Sequence, residues 1–155
     1  MMSMRDIYNY INISDSINTS GQPTEAQLQV AAAEGVQVVI NLATLDSKTT
    51  LTSAVDLVRA AGMEYFHIPV VWDNPTQEDF AEFKRVMRQN AGKVTLIHCV
   101  ANYRATAFYA LYAMENLGWS ETEADALMAK IWQRDANPVW EAFIECMIEK
   151  IQTAR

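Results

Sequence analysis

Hydrophobic and polar positions alternate in blocks that predict strands and helices taking turns along the chain. Apolar residues from Ile7 to Ile13 predict a short first strand, which leads into the Gly21-Gln22-Pro23 turn. Thr24 with Gln27 three residues on forms a capping box, and Gly35 ends the helix it opens. The run Gln37 to Leu42 predicts a buried strand, Leu51 to Ala61 a helix stopped by Gly62, and Glu64 to Val71 another strand. Thr76 with Asp79 starts a helix whose stripe is Phe80, Phe83, Val86 and Met87, closed by Gly92. Val94 to His98 reads as a strand apolar on both faces, as a central parallel strand must be. Ala105 to Leu117 is apolar nearly all round, the pattern of a buried helix, and Gly118 ends it. Ser120 with Glu123 and then Asn137-Pro138 open two further helices, the last striped by Val139, Trp140, Phe143, Ile144, Met147, Ile148 and Ile151. This order predicts an α/β fold: a mostly parallel sheet of four to five strands flanked by helices on both faces, with a helical C-terminal part.

Composition narrows the class. The 155 residues, half hydrophobic and a fifth charged, suffice for one domain spanning residues 1–155 with its own core. Nothing approaches the roughly 20 apolar residues that span a bilayer, and Met1 to Asp6 lack the apolar run of a secretory leader. A formal charge of −7 disfavours a nucleic-acid or anionic-membrane surface, though one loop of amides can still hold an anion. Two cysteines, Cys99 and Cys146, suit a reduced, cytoplasmic protein. No cofactor loop or metal cluster accompanies His67 or any other ligand-type residue, so no cofactor and no metal are expected. Oligomeric state is left open.

Chemistry concentrates where the central strand meets the buried helix. In open α/β sheets, ligands sit at strand C-termini beside helix N-termini, and that junction is His98-Cys99-Val100-Ala101-Asn102-Tyr103-Arg104-Ala105-Thr106. A helix start leaves amides unpaired and carries partial positive charge, which favours a thiolate at Cys99 and a tetrahedral oxyanion above it. Arg104 can clamp two oxygens of such an anion. Asn102 stands where the loop must turn, and asparagine tolerates positive φ better than any residue but glycine. The alternative for Cys99 is an inert core thiol, the common fate of free cysteine.

The pattern His98-Cys99…Arg104 between strand and helix resembles the phosphate-binding loop of cysteine-based protein tyrosine and dual-specificity phosphatases. Similarity is greatest to a bacterial phosphatase-like branch with a shortened loop. It extends over nearly the whole chain, through Ser20-Gly21-Gln22-Pro23, Val39-Ile40-Asn41-Leu42 and His67-Ile68-Pro69-Val70. The resemblance implies a phosphorylated substrate, Cys99 as nucleophile and a phosphocysteine intermediate. It further implies phosphoryl binding by Arg104 and the amides of Val100, Ala101, Asn102, Tyr103, Arg104 and Ala105. It makes Asp73, in Val71-Trp72-Asp73-Asn74-Pro75, the general acid, ahead of Glu78 and Asp79. His98 is expected to orient the loop.

Two departures keep rivals in view. Four residues separate Cys99 from Arg104, where the phosphatase signature has five. Ala105 stands where that signature places a hydroxyl beside the leaving thiolate, with Thr106 one residue later. The six residues from Cys99 through Arg104 match in number the active loop of rhodanese-type sulfurtransferases, which carry a persulfide on cysteine, whereas His98 and Asp73 fit phosphatase-like chemistry better. A catalytically weak phosphate-binding regulatory module is the third reading. The polar stretch Thr44 to Lys48 is where a substrate-recognition loop would lie.

Overall fold

The computed structural model describes residues 2–46, 50–51 and 53–155. A turn of 3-10 helix, Met4–Asp6, precedes β1 (Ile11–Asn12) and β2 (Ile17–Ser20). Then follow α1 (Glu25–Ala33), β3 (Val38–Asn41), α2 (Ala54–Ala60), β4 (Glu64–His67), α3 (Gln77–Gln89) and β5 (Thr95–His98). The chain finishes with α4 (Tyr103–Leu117), α5 (Glu121–Ala129), a 3-10 turn Arg134–Ala136 and α6 (Pro138–Thr153). The five strands lie in the order β1-β2-β5-β3-β4, all parallel except the β1–β2 hairpin.

The predicted α/β architecture is present, with one revision near the N-terminus. The expected strand from Ile7 to Ile13 is only the two-residue β1, and the strand beside β5 is β2, which hydrophobic patterning does not reveal. Its last three residues, Asn18, Thr19 and Ser20, are polar and buried. Burial of polar groups is tolerated only with hydrogen-bond partners. Asn18 accepts from the Tyr10 hydroxyl and Asn12 and donates to the Thr95 carbonyl, and Thr19 accepts from Asn102.

Strand alternation divides the apolar residues between two cores. Val39 and Leu96 face α1 and α2, joining Leu28, Ala31 and Val58. Val38, Ile40 and Ile97 face the other way, onto α3, α4, α5 and α6. Helix α4 is enclosed there, and every residue from Arg104 to Met114 is buried. Capping boxes at Thr24, Thr76 and Ser120, and an Asn137 cap followed by Pro138, start α1, α3, α5 and α6 as their sequences predict.

Register gathers the strand ends that matter. Ser20, His98, Asn41 and His67 form one row across β2, β5, β3 and β4. The four segments beyond them, starting at Gly21, Cys99, Leu42 and Ile68, therefore leave the sheet along one edge.

Candidate active site

Cys99 is buried directly after β5, and its amide donates to the Ser20 carbonyl at 3.3 Å. The loop then turns at Asn102, whose φ of 70° is left-handed. Among the described residues only Asn9, with φ of 53°, shares positive φ without being glycine. These two asparagines clasp each other's backbone segments. Asn102 Nδ2 donates to the Asn9 carbonyl at 2.8 Å, and Asn9 Nδ2 donates to the Ala101 carbonyl at 3.0 Å. Asn102 Nδ2 also reaches Thr19 Oγ1 at 3.1 Å.

A second brace comes from the turn after β2. Gln22 donates its amide to the Val100 carbonyl at 3.0 Å, and Gly21 bridges Ala101. A Cβ on Gly21 would stand 2.7 Å from the Val100 carbonyl oxygen and 2.7 Å from Tyr8 Cδ2. Only glycine permits this approach without movement of the loop.

With the carbonyls of Val100 and Ala101 so engaged, the amides remain. Among the described residues, those of Val100, Ala101, Tyr103, Arg104 and Ala105 have no backbone acceptor, the Asn102 amide turns to the Ser20 carbonyl in the Gly21–Ala101 bridge, and the first intrahelical donor is Thr106, to the Asn102 carbonyl at 3.1 Å. Five free donors around the start of a fifteen-residue helix are an arrangement that can accept an anion.

Arg104 is buried on the second position of α4. Its Nη1 donates to the Val70 carbonyl at 2.8 Å, and its guanidinium carbon lies 5.9 Å from the Trp72 ring centroid. Its Nε has no partner. A buried charge-bearing donor left unpaired is costly, so an acceptor oxygen placed beside it would be favoured.

Thr106 sits elsewhere in this arrangement than a hydroxyl assisting Cys99 would. Its Oγ1 donates to the Asn102 carbonyl at 2.8 Å and accepts the Trp132 indole N–H at 3.2 Å. It therefore holds the helix start and an aromatic cluster. Ala105 offers the loop no hydroxyl.

His98 is fully buried, with Nδ1 3.3 Å from the Cys99 carbonyl. Burial lowers its pKa from 6.5 to about 4, opposed by that backbone contact and assisted by nearby His67. The ring is neutral at physiological pH. His67 Nε2 lies 2.7 Å from the Ala43 carbonyl, which ties the segment after β3 to β4.

Asp73 is exposed on the turn after β4, three residues past the Val70 carbonyl that Arg104 holds. Trp72 stacks on Trp140 at 5.3 Å and is tilted against Tyr103 and Trp132. Tyr103 lies parallel to Trp132 at 5.0 Å, so it faces this aromatic cluster. Glu78 and Asp79 occupy the first turn of α3, where Asp79 completes the capping box.

Several contributors escape the sequence. Asn9, Thr19, Trp132 and Trp140 are distant in the chain, and no local spacing announces them. In the Thr44 to Lys48 stretch, a hydrogen bond from Thr44 holds the exposed Asp46 carboxyl below the usual carboxylate range, as do its own amide and the Arg104 charge. Lys48, the cation expected in that stretch, lies outside the described residues. Cys99 and Cys146 are unpaired thiols. Among the described residues there is no metal-type cluster and no helix long and apolar enough to cross a membrane.

A parallel sheet ending in a cysteine, an amide-rich loop and an arginine on the following helix defines a fold of the cysteine-based phosphatase class. Comparison with solved structures agrees. A candidate phosphatase (DUF442) from Shewanella putrefaciens CN-32 superposes with a TM-score of 0.88 at 35% identity, over 96% of each chain. TpbA of P. aeruginosa superposes with a TM-score of 0.75 at 17% identity, over 95% of this chain and 90% of TpbA, a likeness of fold. Residues 9–115 match the family described as "Beta-lactamase hydrolase-like protein, phosphatase-like domain", and the chain belongs to that family. The Beta-lactamase hydrolase-like protein of Xylella fastidiosa (strain Temecula1 / ATCC 700964) is 29% identical over 121 residues, 76% of this chain. Only 28% of that relative's length is matched.

Proposed function

We propose that the chain is a cysteine-dependent phosphatase acting on a phosphomonoester. The observation that carries this reading is the set of unpaired donors around one loop: five amides without a backbone acceptor and the buried Arg104 Nε. Such a set matches the three non-bridging oxygens of a phosphoryl group better than a neutral ligand. The phosphatase-like family and the phosphatase-class neighbours support the same chemistry and favour it over persulfide transfer.

In the first step the Cys99 thiolate attacks phosphorus. The bond from phosphorus to the leaving oxygen breaks, and Asp73 gives that oxygen its proton. Arg104 and the loop amides bind the phosphoryl oxygens throughout. In the second step Asp73, now a carboxylate, takes a proton from water as the water oxygen attacks phosphorus. The sulfur–phosphorus bond breaks, releasing inorganic phosphate and the thiolate. Ala105 offers the departing thiolate no hydroxyl, and the Thr106 hydroxyl is engaged by the Asn102 carbonyl and the Trp132 indole. Breakdown of the intermediate is then the slower step.

Hydrolysis of 4-nitrophenyl phosphate tests the proposal. The unmodified chain turns over with an initial burst, and Cys99→Ser abolishes activity. Tungstate binding without turnover would replace it with the regulatory-module reading. A persulfide formed on Cys99 from thiosulfate, with no phosphoester hydrolysis, would replace it with sulfur transfer.

A further inference from the structure

We infer that Trp140, on the C-terminal helix α6, is a positioning residue for Asp73. This rests on the proposed role of Asp73 as general acid. Trp140 lies beyond residues 9–115, so the family match does not cover it.

The turn bearing Asp73 is fastened at two points. Before it, the Val70 carbonyl accepts from Arg104 Nη1 at 2.8 Å. Next to it, the Trp72 carbonyl accepts from Trp140 Nε1 at 2.7 Å. The peptide unit whose oxygen Trp140 holds is the one that joins Trp72 to Asp73. Trp140 thus fixes the plane from which the Asp73 side chain departs.

Trp140 is itself immobilised. It is fully buried, stacks on Trp72, and meets Phe108 at 6.0 Å and Phe143 at 5.7 Å. Its helix starts at Asn137, whose side chain caps the Trp140 amide at 3.0 Å. Trp132 packs against both Trp72 and Trp140 and binds Thr106 on α4. The acid's turn and the phosphate loop are thereby tied to one aromatic cluster supplied by α4, α6 and the turn before α6. Positioning within an ångström matters because a general acid must reach the leaving oxygen at hydrogen-bond distance.

Trp140→Phe keeps a ring in the stack and removes the donor. The readout is kcat/KM, which reports formation of the intermediate, on two substrates. Phenyl phosphate releases a strongly basic oxygen and needs the acid, whereas 2,4-dinitrophenyl phosphate releases a stable anion and does not. Trp140→Phe is expected to lower kcat/KM about tenfold on phenyl phosphate and to leave the dinitrophenyl ester within about twofold. Added to Asp73→Asn, it should cause no further selective loss. Equal losses on both esters would overturn the positioning role and leave only packing. If Asp73→Asn itself shows no preference between the esters, the failure lies in the role of Asp73 and not in Trp140. A measurement on the unmodified protein covers a variant that does not fold. The Trp140 indole N–H should exchange with solvent as slowly as that of buried Trp132, and exchange at the rate of an exposed indole would refute the bond to Trp72.

Discussion

Replacing Asn102 separates two things that this side chain supplies, a backbone conformation and a clasp. Its φ of 70° is left-handed, and its Nδ2 makes two hydrogen bonds, to the Asn9 carbonyl and Thr19 Oγ1. Both Asn102→Gly and Asn102→Ala remove the two bonds, each with a net value of about 1 kcal/mol. Some of this is recovered because the buried Oδ1 of Asn102 has no partner in the native protein. A loss of about 1–2 kcal/mol is therefore expected for glycine. Alanine adds a left-handed cost of about 1–2 kcal/mol. It regains about 0.4–1 kcal/mol by restricting the unfolded chain. Alanine should thus be the less stable of the two by roughly 0.5–1 kcal/mol. Urea unfolding with a common m-value measures both, and tungstate titration reports whether the loop still binds an oxyanion. Alanine equal to or above glycine in stability would show that positive φ is not what position 102 demands. Glycine equal to the native protein would show that the clasp is worth nothing, and either result refutes this account of Asn102.

Other perturbations test separate parts of the site. Gly21→Ala would push a methyl against the Val100 carbonyl and should cost about 1–3 kcal/mol in unfolding measurements, with weaker tungstate binding. His98, neutral when folded, titrates at about 4 against 6.5 unfolded, so the unfolded state binds more protons between those values. Stability should be fully present above pH 6.5 and fall by about 3 kcal/mol towards pH 4. In His98→Gln that part of the pH profile should disappear. Thr106→Val leaves the buried Trp132 N–H without an acceptor and should lower stability by about 1–3 kcal/mol, whereas Thr106→Ser should recover most of it.

The sequence exposes those features whose causes are local. Capping boxes at Thr24, Thr76 and Ser120 are three-residue patterns, and all three form. The central strand and the enclosed helix α4 follow from unbroken apolar runs, and the loop between them carries Cys99 and Arg104. What stays hidden depends on pairing across the chain. β2 is polar and buried because Tyr10, Asn12, Thr95 and Asn102 satisfy it, and no window around Ile17 contains that information. The Asn9–Asn102 clasp spans nearly the whole family-matched region, and the Trp140 bond to Trp72 bridges α6 to the turn after β4. Thr106, one residue beyond the position where the phosphatase signature has its hydroxyl, is likewise decided by packing: its hydroxyl meets the Trp132 indole and the Asn102 carbonyl at the helix start.

The most direct test of Cys99 as nucleophile is rapid mixing with an aryl phosphate, acid quenching, and mass measurement of the intact chain and its peptides. A phosphoryl adduct of about 80 Da on the peptide containing Cys99, formed in a burst and decaying as phosphate appears, is the predicted result. Asp73→Asn should prolong its lifetime. Hydrolysis that proceeds without an adduct and persists in Cys99→Ser would contradict the account.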